Sequence, residues 1–280
     1  MLRRFLPFLP KPPVVSVVRL AGMISPTPQP FRGGLSLPSI AGAIERACTV
    51  PGVLAVALQV NSPGGSPVQS SLIAKRVRNV AKENDLPIFA FVEDVAASGG
   101  YWLACAADEI YAERSSIVGS IGVVSAGFGF EEAIKKIGVE RRLYHQGRNK
   151  AMLDPFKPED PEDIERLHAI QKDIHETFID HVRDRRGKRL KGEDDDLFNG
   201  DIWTGQRALE LGLIDGLGDL RSVMRDRFGE KVQLRVVGGE RSWLKRKFGL
   251  TGPWSAEPQE LVSGTLAAIE ERALWSRFGL

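Results

Sequence analysis

The 280-residue chain has few of the residues that bind metals or cross-link extracellular domains. Its two cysteines, Cys48 and Cys105, lie in apolar, helix-like surroundings and form no C-x-x-C pair. Its four histidines are too scattered for a metal-ligand spacing; they are His145, His168, His175 and His181. We therefore expect two buried free thiols, a reducing compartment, no metal site and no cofactor.

An excess of charge of one sign is also missing. The chain has 38 basic and 36 acidic side chains, a net charge of +2, and 42% hydrophobic residues. This balance gives no electrostatic footprint for nucleic acid and is ordinary for a globular protein. The length suits one large domain, or one domain with an appendage.

No apolar run is long enough to cross a membrane, which takes about 20 residues. Prolines break the run at 5–10, and the run at 14–20 has only seven residues. Residues 1–13 combine Arg3 and Arg4 with apolar side chains, so they are either a loose tail or oligomer arm, or a contact with a membrane surface. We expect a cytoplasmic protein, either free or peripheral at the inner face of the membrane.

The chain does contain strand-like apolar runs that alternate with helix-like segments. The predicted strands are 14–20, 53–60, 87–92 and 109–112, and helices are predicted at 35–48, 68–84 and 98–107. Buried parallel strands are near-continuous apolar runs, so this alternation predicts an α/β fold with a parallel sheet.

The second half of the chain is predicted to be more helical. Helices are expected at 130–137, 161–186, 204–211, 219–228 and 259–278, strands at 139–144 and 232–237, and loops at 145–158 and 192–196. The helix at 161–186 is the longest, and one apolar stripe should face the core. That stripe consists of Ile164, Leu167, Ile170, Ile174, Phe178 and Val182.

A candidate nucleophile is Ser98, which lies between a strand-like and a helix-like run in the sequence VAASGGYW. The alternative is a serine that caps a helix. As a nucleophile it needs a base, and His145 with Asp154 or Asp94 would give a Ser-His-Asp arrangement. Lys150 would give a Ser-Lys pair instead.

Lys150 is followed by Ala-Met-Leu, an unusual setting for a surface lysine, although a solvated loop lysine is the alternative. A lysine acts as a base only when neutral, so its surroundings must lower its pKa from about 10.4 to near 7. Backbone N–H groups of Gly64, Gly65 and Gly99 could stabilise an oxyanion at the end of a buried strand, or the Pro-Gly sequence could simply make a turn.

Five motifs in this order resemble the signal peptide peptidase A family of serine proteases. They are VNSPGGS at 60–66, ASGGYW at 97–102, GSIGV at 119–123, the segment around Lys150, and the stretch at 204–218 that contains ALELGLID. The resemblance covers roughly residues 14–237 and implies an α/β, ClpP/crotonase-like fold with a repeated ββα core.

By this resemblance Ser98 is the nucleophile, Lys150 the general base, and Ser120 a residue that orients the lysine, while Gly65 and Gly99 provide the oxyanion hole. The implied reaction is endopeptide hydrolysis through an acyl-enzyme. The implied substrates are apolar peptides, such as remnant signal peptides or misfolded proteins. Family members form homo-oligomeric rings, octamers for single-domain chains of this length, and in some the dyad is completed across a subunit interface.

The resemblance also divides the chain into residues 1–13, a basic-apolar arm; 14–237, the peptidase domain; and 238–280, a tail with a helix. Many relatives carry a membrane anchor, whereas this sequence has no adequate span. Two other functions stay open: a crotonase-type acyl-CoA enzyme, which would not need Ser98 or Lys150, and a non-catalytic scaffold that binds peptides.

Overall fold

The computed structural model describes residues 12–26, 34–238, 272–273 and 275–279. The predicted helix at 259–278 lies almost wholly outside these residues, as does the predicted arm up to residue 11. The division of the chain into an arm, a domain and a tail therefore stays a prediction.

The centre of the fold is an eight-stranded, mostly parallel sheet. Its strands are β1 (Val14–Ala21), β2 (Val53–Ser62), β3 (Ile88–Ala97), β4 (Glu109–Ala112), β5 (Ile117–Gly119), β6 (Ile202–Thr204), β7 (Gly216–Leu217) and β8 (Gln233–Val236). The order across the sheet is β6-β5-β3-β2-β1-β8, and β4 pairs with both β3 and β7. The β5–β6 pair is antiparallel.

Eight α-helices accompany these strands in the described part of the chain. They are α1 (Leu37–Cys48), α2 (Pro67–Glu83), α3 (Gly99–Ala104), α4 (Glu131–Lys136), α5 (Pro161–Arg186), α6 (Asp194–Leu197), α7 (Gly205–Glu210) and α8 (Leu220–Phe228). Helices α1, α2, α3 and the C-terminal half of α5 pack on one face of the sheet and form the larger core. Helix α8 covers the other face through Met224, which packs with Phe89 and Phe91.

Strand β3 positions the site because it has two different neighbours along its length. Its first half pairs with β4, whereas Val95, Ala96 and Ala97 pair with β5. This second pairing extends β3 beyond the predicted end at residue 92, and it brings the end of β3 beside the end of β5.

The α/β class is confirmed, as are most of the predicted elements. Helix α5 spans the predicted residues because Asp160 caps its N-terminus, accepting a hydrogen bond from the Glu162 N–H at 2.9 Å, and Pro161 opens its first turn. Cys48 and Cys105 are buried free thiols, and burial raises the pKa of Cys105 to about 11.

Three predictions about local structure are wrong. Residues 139–144 form no strand, because no neighbouring strand pairs with them and their side chains are exposed. Part of the predicted loop at 192–196 is helix α6, whose three aspartates favour a helix N-terminus and whose Leu197 is buried. The apolar stripe of α5 is buried only at Phe178 and Val182, and Ile170 is 49% exposed.

Within the described residues, no helix is both long enough and apolar enough to cross a membrane. The same residues contain no group of three or more histidine, cysteine, aspartate or glutamate side chains placed to hold a metal ion.

Candidate active site

Ser98 forms the sharp turn between β3 and α3. Its backbone has φ 52° and ψ −123°, a conformation that costs a residue with a side chain about 1–3 kcal/mol. The Ser98 N–H donates to the Gly119 carbonyl oxygen at 2.8 Å, and the Ser98 carbonyl accepts from the Trp102 N–H at 3.0 Å. A strained strand-to-helix turn of this kind exposes a hydroxyl at the end of a sheet, as nucleophilic serines require.

Gly64 and Gly65 follow β2 and lie beside this turn. Both have positive φ, 104° and 136°. A Cβ on Gly64 would lie 2.7 Å from the Ser98 Cβ, and a Cβ on Gly65 would lie 2.1 Å from the Ile24 carbonyl oxygen. These distances are too short for a side chain, so glycine is required at both positions: at Gly64 for the close approach to Ser98, and at Gly65 for the close approach to Ile24.

The Gly65 N–H is free to bind a ligand. Ile24 bridges the residues on either side of it, since the Ile24 N–H donates to the Gly64 carbonyl and the Ser66 N–H donates to the Ile24 carbonyl, both at 2.8 Å. In this parallel bridge the Gly65 N–H points away from Ile24. No acceptor for it is found in the described part of the chain.

Gly99 supplies a second N–H beside the first, and it too has no acceptor in the described part of the chain. Gly99 is the first residue of α3, where an N–H has no partner within the helix. A Cβ on Gly99 would lie 3.4 Å from the Gly65 nitrogen, and one on Gly64 would lie 2.9 Å from the Gly99 nitrogen. Two unpaired N–H groups beside a serine hydroxyl can stabilise the oxyanion of an acyl-transfer reaction.

Ser120 lies at the end of β5, one residue after the carbonyl that binds the Ser98 N–H. It also has positive φ, 52°, and its N–H donates to the Asp201 carbonyl at 2.6 Å. Trp203 packs against the neighbouring Gly119, where a Cβ would lie 2.5 Å from the indole ring. The structure therefore places Ser120 directly after the residue that binds the Ser98 turn.

Lys150 is not part of this cluster. It lies on residues 122–157, the Lys150 segment, where its N–H donates to the Gly147 carbonyl at 3.1 Å and its side chain is exposed. No hydrogen bond joins it to Ser98 or Ser120 among the described residues.

The Lys150 segment packs mainly on itself. Phe130 and Phe156 have ring centroids 5.6 Å apart, and the Arg141 guanidinium lies 4.7 Å from the centre of the Phe156 ring. Several large apolar side chains of the segment are left exposed, namely Val124, Phe128, Ile137, Val139, Leu143 and Tyr144. An exposed apolar set of this size is typical of a protein–protein contact.

The Ser-His-Asp arrangement is not assembled. The His145 ring contacts the Gly147 carbonyl at 3.2 Å, Asp154 pairs with Arg141 at 3.0 Å, and Asp94 accepts from Asn61 at 2.8 Å. His145 is exposed and, in the described residues, forms no hydrogen bond with either carboxylate or with Ser98.

Two histidines of α5 contact the backbone around Ser98, and these contacts were not predicted from the sequence. His175 Nε2 lies 2.9 Å from the Ile121 carbonyl oxygen, and His181 Nε2 lies 3.1 Å from the Trp102 carbonyl oxygen. His181 also stacks on the Trp102 ring at 5.0 Å, and burial lowers its pKa. The only signal in the sequence was their position near the buried stripe of the longest helix.

The profile of peptidase family S49 matches residues 80–234 of the chain, a range that contains Ser98, Ser120 and Lys150. A protein of Brucella abortus named Na(+)/H(+) antiporter NhaA is 53% identical over 272 residues, which is 95% of this chain and 37% of that protein. A putative signal peptide peptidase SppA of Enterococcus faecium is 33% identical over 62% of this chain and 49% of that protein.

A putative protease of Synechocystis sp. is 31% identical over 81% of this chain and 80% of its own length. Among solved structures, a membrane-bound stomatin-specific protease has a TM-score of 0.48 and 13% identity, covering 82% of this chain and all of that one. The chain thus spans about a third of the length of the Brucella protein and about half of the Enterococcus protein.

Proposed function

Because the chain belongs to peptidase family S49, we propose that it is a serine endopeptidase with Ser98 as nucleophile and Lys150 as general base. The observation that carries this proposal is the strained turn at Ser98, with the free N–H groups of Gly65 and Gly99 beside it. A strained residue persists only where the surrounding structure enforces it, and such residues cluster at functional sites.

The proposed reaction proceeds through an acyl-enzyme. Neutral Lys150 accepts the proton of the Ser98 hydroxyl, and the Ser98 Oγ attacks the carbonyl carbon of the scissile peptide bond. The N–H groups of Gly65 and Gly99 then stabilise the oxyanion, a contribution worth about 10²–10³ in kcat for one donor. The lysine returns the proton to the leaving amine, the C–N bond breaks, and water hydrolyses the ester.

Lys150 must reach Ser98 for this chemistry, and we propose that assembly of several copies brings it there. The exposed apolar side chains of the Lys150 segment would be covered by a second copy in a homo-oligomeric ring, with an octamer as the expected size. Burial of a lysine in such an interface lowers its pKa, as a general base requires. In this arrangement the amine of one copy serves the serine of its neighbour.

The proposed substrates are extended apolar peptides, such as remnant signal peptides or segments of misfolded proteins. The proposed location is the cytoplasm, with residues 1–13 as a peripheral membrane contact. The antiporter name describes a protein of which this chain matches only 37%, and the peptidase profile lies within the matched region.

The test is hydrolysis of a fluorogenic apolar peptide by the wild type, S98A, K150A and K157A. Lys157 is an exposed lysine of the same segment and serves as the matched control. We expect S98A and K150A to lose activity and K157A to keep it. Cleavage by S98A at the wild-type rate would refute the nucleophile, and equal loss in K157A and K150A would refute the specific role of Lys150.

The contribution of a second copy can be tested by mixing S98A and K150A under conditions in which subunits exchange. If Lys150 acts on the serine of a neighbour, mixed assemblies contain sites with both residues intact, so the mixture regains activity. A mixture that exchanges subunits and stays inactive would place both residues in the same copy.

A further inference from the structure

The three-residue turn that follows β5 is held by an unusual set of contacts. The Gly119 carbonyl accepts from the Ser98 N–H at 2.8 Å, the Ser120 N–H donates to the Asp201 carbonyl at 2.6 Å, and the Gly122 N–H donates back to the Ser120 carbonyl at 2.9 Å. These are backbone contacts, which a substitution does not remove directly. We call residues 120–122 the β5 turn.

One side chain binds the centre of this turn. His175 of α5 lies 2.9 Å from the carbonyl oxygen of Ile121, the middle residue of the turn. A carbonyl oxygen only accepts hydrogen bonds, so His175 Nε2 carries the proton and donates it. Ile121 is fully buried, so without this donor its carbonyl would have no hydrogen-bond partner among the residues that the structure describes.

We propose that His175 is a positioning residue of the peptidase site, a role that rests on the function proposed above. It fixes the Ile121 carbonyl and thereby the β5 turn, which places both Ser120 and the acceptor of the Ser98 N–H. His175 touches neither the nucleophile nor a substrate in this account; it acts through the backbone of the turn.

Helix α5 also connects this contact to the Lys150 segment. At its first turn, the Leu153 N–H donates to Asp163 at 3.2 Å, and Arg148 pairs with Glu162 at 3.1 Å. His175 lies 12 residues after Asp163, about 18 Å along the helix at about 1.5 Å per residue. The same rigid element therefore holds the segment that carries the proposed base and the turn that supports the nucleophile.

The expected effect of losing the contact is on turnover. A misplacement of about 1 Å at a catalytic centre can reduce the rate about 100-fold. In H175A we expect kcat to fall about 10- to 100-fold with KM changed less than about 3-fold, because the turn orients reacting groups and binds no part of the substrate. In H175Q the amide nitrogen can donate from nearly the same place, so most of the activity should return.

The experiment compares the wild-type full chain with its variants H175A, H175Q and H168A. Each protein is assayed by peptide hydrolysis and by thermal unfolding. His168 is an exposed histidine of the same helix and should leave kcat unchanged. A purely structural role predicts activity losses that follow the loss of thermal stability, with H175Q no better than H175A. That pattern, or wild-type kcat in H175A, would overturn the proposal.

Amide hydrogen exchange of residues 118–122 separates this inference from the proposed function. Faster exchange in H175A than in the wild type and H175Q is expected whether or not the protein cleaves peptides. If the wild type cleaves no peptide but this difference is present, the peptidase function fails and the structural contact stands. If exchange is the same in all variants, His175 does not hold the turn and the positioning role fails.

Discussion

The backbone strain at Ser98 makes a prediction about the relative stability of two variants that should both be inactive. The residue adopts φ 52° and ψ −123°, a conformation that glycine adopts without strain and a residue with a Cβ adopts only at a cost. Replacing Ser98 by alanine removes the hydroxyl but keeps the Cβ. Replacing it by glycine removes both. The difference in the free energy of unfolding between S98G and S98A therefore reports the strain, together with the two smaller contributions of the added glycine and the lost Cβ.

The magnitude follows from three contributions. Strain of this kind is worth about 1–3 kcal/mol. Against it, glycine costs about 0.4–1 kcal/mol through the greater freedom of the unfolded chain. Loss of a half-buried methyl group costs about 0.4 kcal/mol, half the value for a fully buried one. We expect S98G to be more stable than S98A by about 1 kcal/mol, or about 2–4 °C in Tm for a domain of this size.

The assay is thermal and urea unfolding of both variants at one protein concentration, since assembly would make Tm depend on concentration. Both should be inactive in peptide hydrolysis. The control is Ser71, inside helix α2, where the order should reverse and S71G should be less stable than S71A by about 1 kcal/mol. An S98G that is no more stable than S98A would refute the idea that strain is stored at this turn.

Three further predictions concern other parts of the site and its support. G65A should lower kcat about 100-fold, because the new Cβ would lie 2.1 Å from the Ile24 carbonyl and displace the amide; peptide hydrolysis measures this. Burial lowers the pKa of His181, so the stability that its neutral imidazole contributes is present above about pH 6.5 and is lost as the pH falls below that value. In urea unfolding from pH 7 to 5, H181Q should therefore lose less free energy of unfolding than the wild type. Breaking the ion pair of buried Arg186 with Asp215 in R186M should lower the free energy of unfolding by about 3–5 kcal/mol.

Two of these predictions have a matched control variant. Gly52 also has positive φ but nothing within 4 Å of its Cβ position, so G52A should lose stability and keep its activity. R207A removes an exposed ion pair with Glu210 and should cost less than about 1 kcal/mol. The explanation for Gly65 would be wrong if G65A and G52A were equally active. The explanation for His181 would be wrong if the free energy of unfolding of the wild type and of H181Q changed with pH in parallel. The explanation for Arg186 would be wrong if R186M and R207A lost equal free energy of unfolding.

Much of the fold could be predicted from the sequence because its signals are local. Strands β1 and β2 are near-continuous apolar runs, as is typical of strands buried on both faces. Helix α5 begins at Asp160-Pro161, a capping residue followed by the residue best suited to a first helical turn. Local signals also misled, since residues 139–144 were predicted to form a strand but pair with no strand in the described part of the chain.

For the candidate site, too, part could be predicted from the sequence and part could not. The order of the motifs gave Ser98, Gly65, Gly99 and Ser120 as candidates, and the structure places the Gly65 and Gly99 amides and the end of β5 beside the Ser98 turn. The exposed position of Lys150 could not be predicted, because burial depends on which surfaces the folded segment meets and its sequence resembles that of a buried one.

The sequence by itself thus determined the class of fold and most of its elements, because apolar periodicity, caps and glycine positions act over a few neighbouring residues, and its motifs supplied the candidate site residues. Only the tertiary structure decided the strain at Ser98 and the donor to the Ile121 carbonyl, which lies 54 residues away on His175. Such contacts depend on how β5 and α5 pack, and packing is a property of the whole core that no single stretch of sequence encodes.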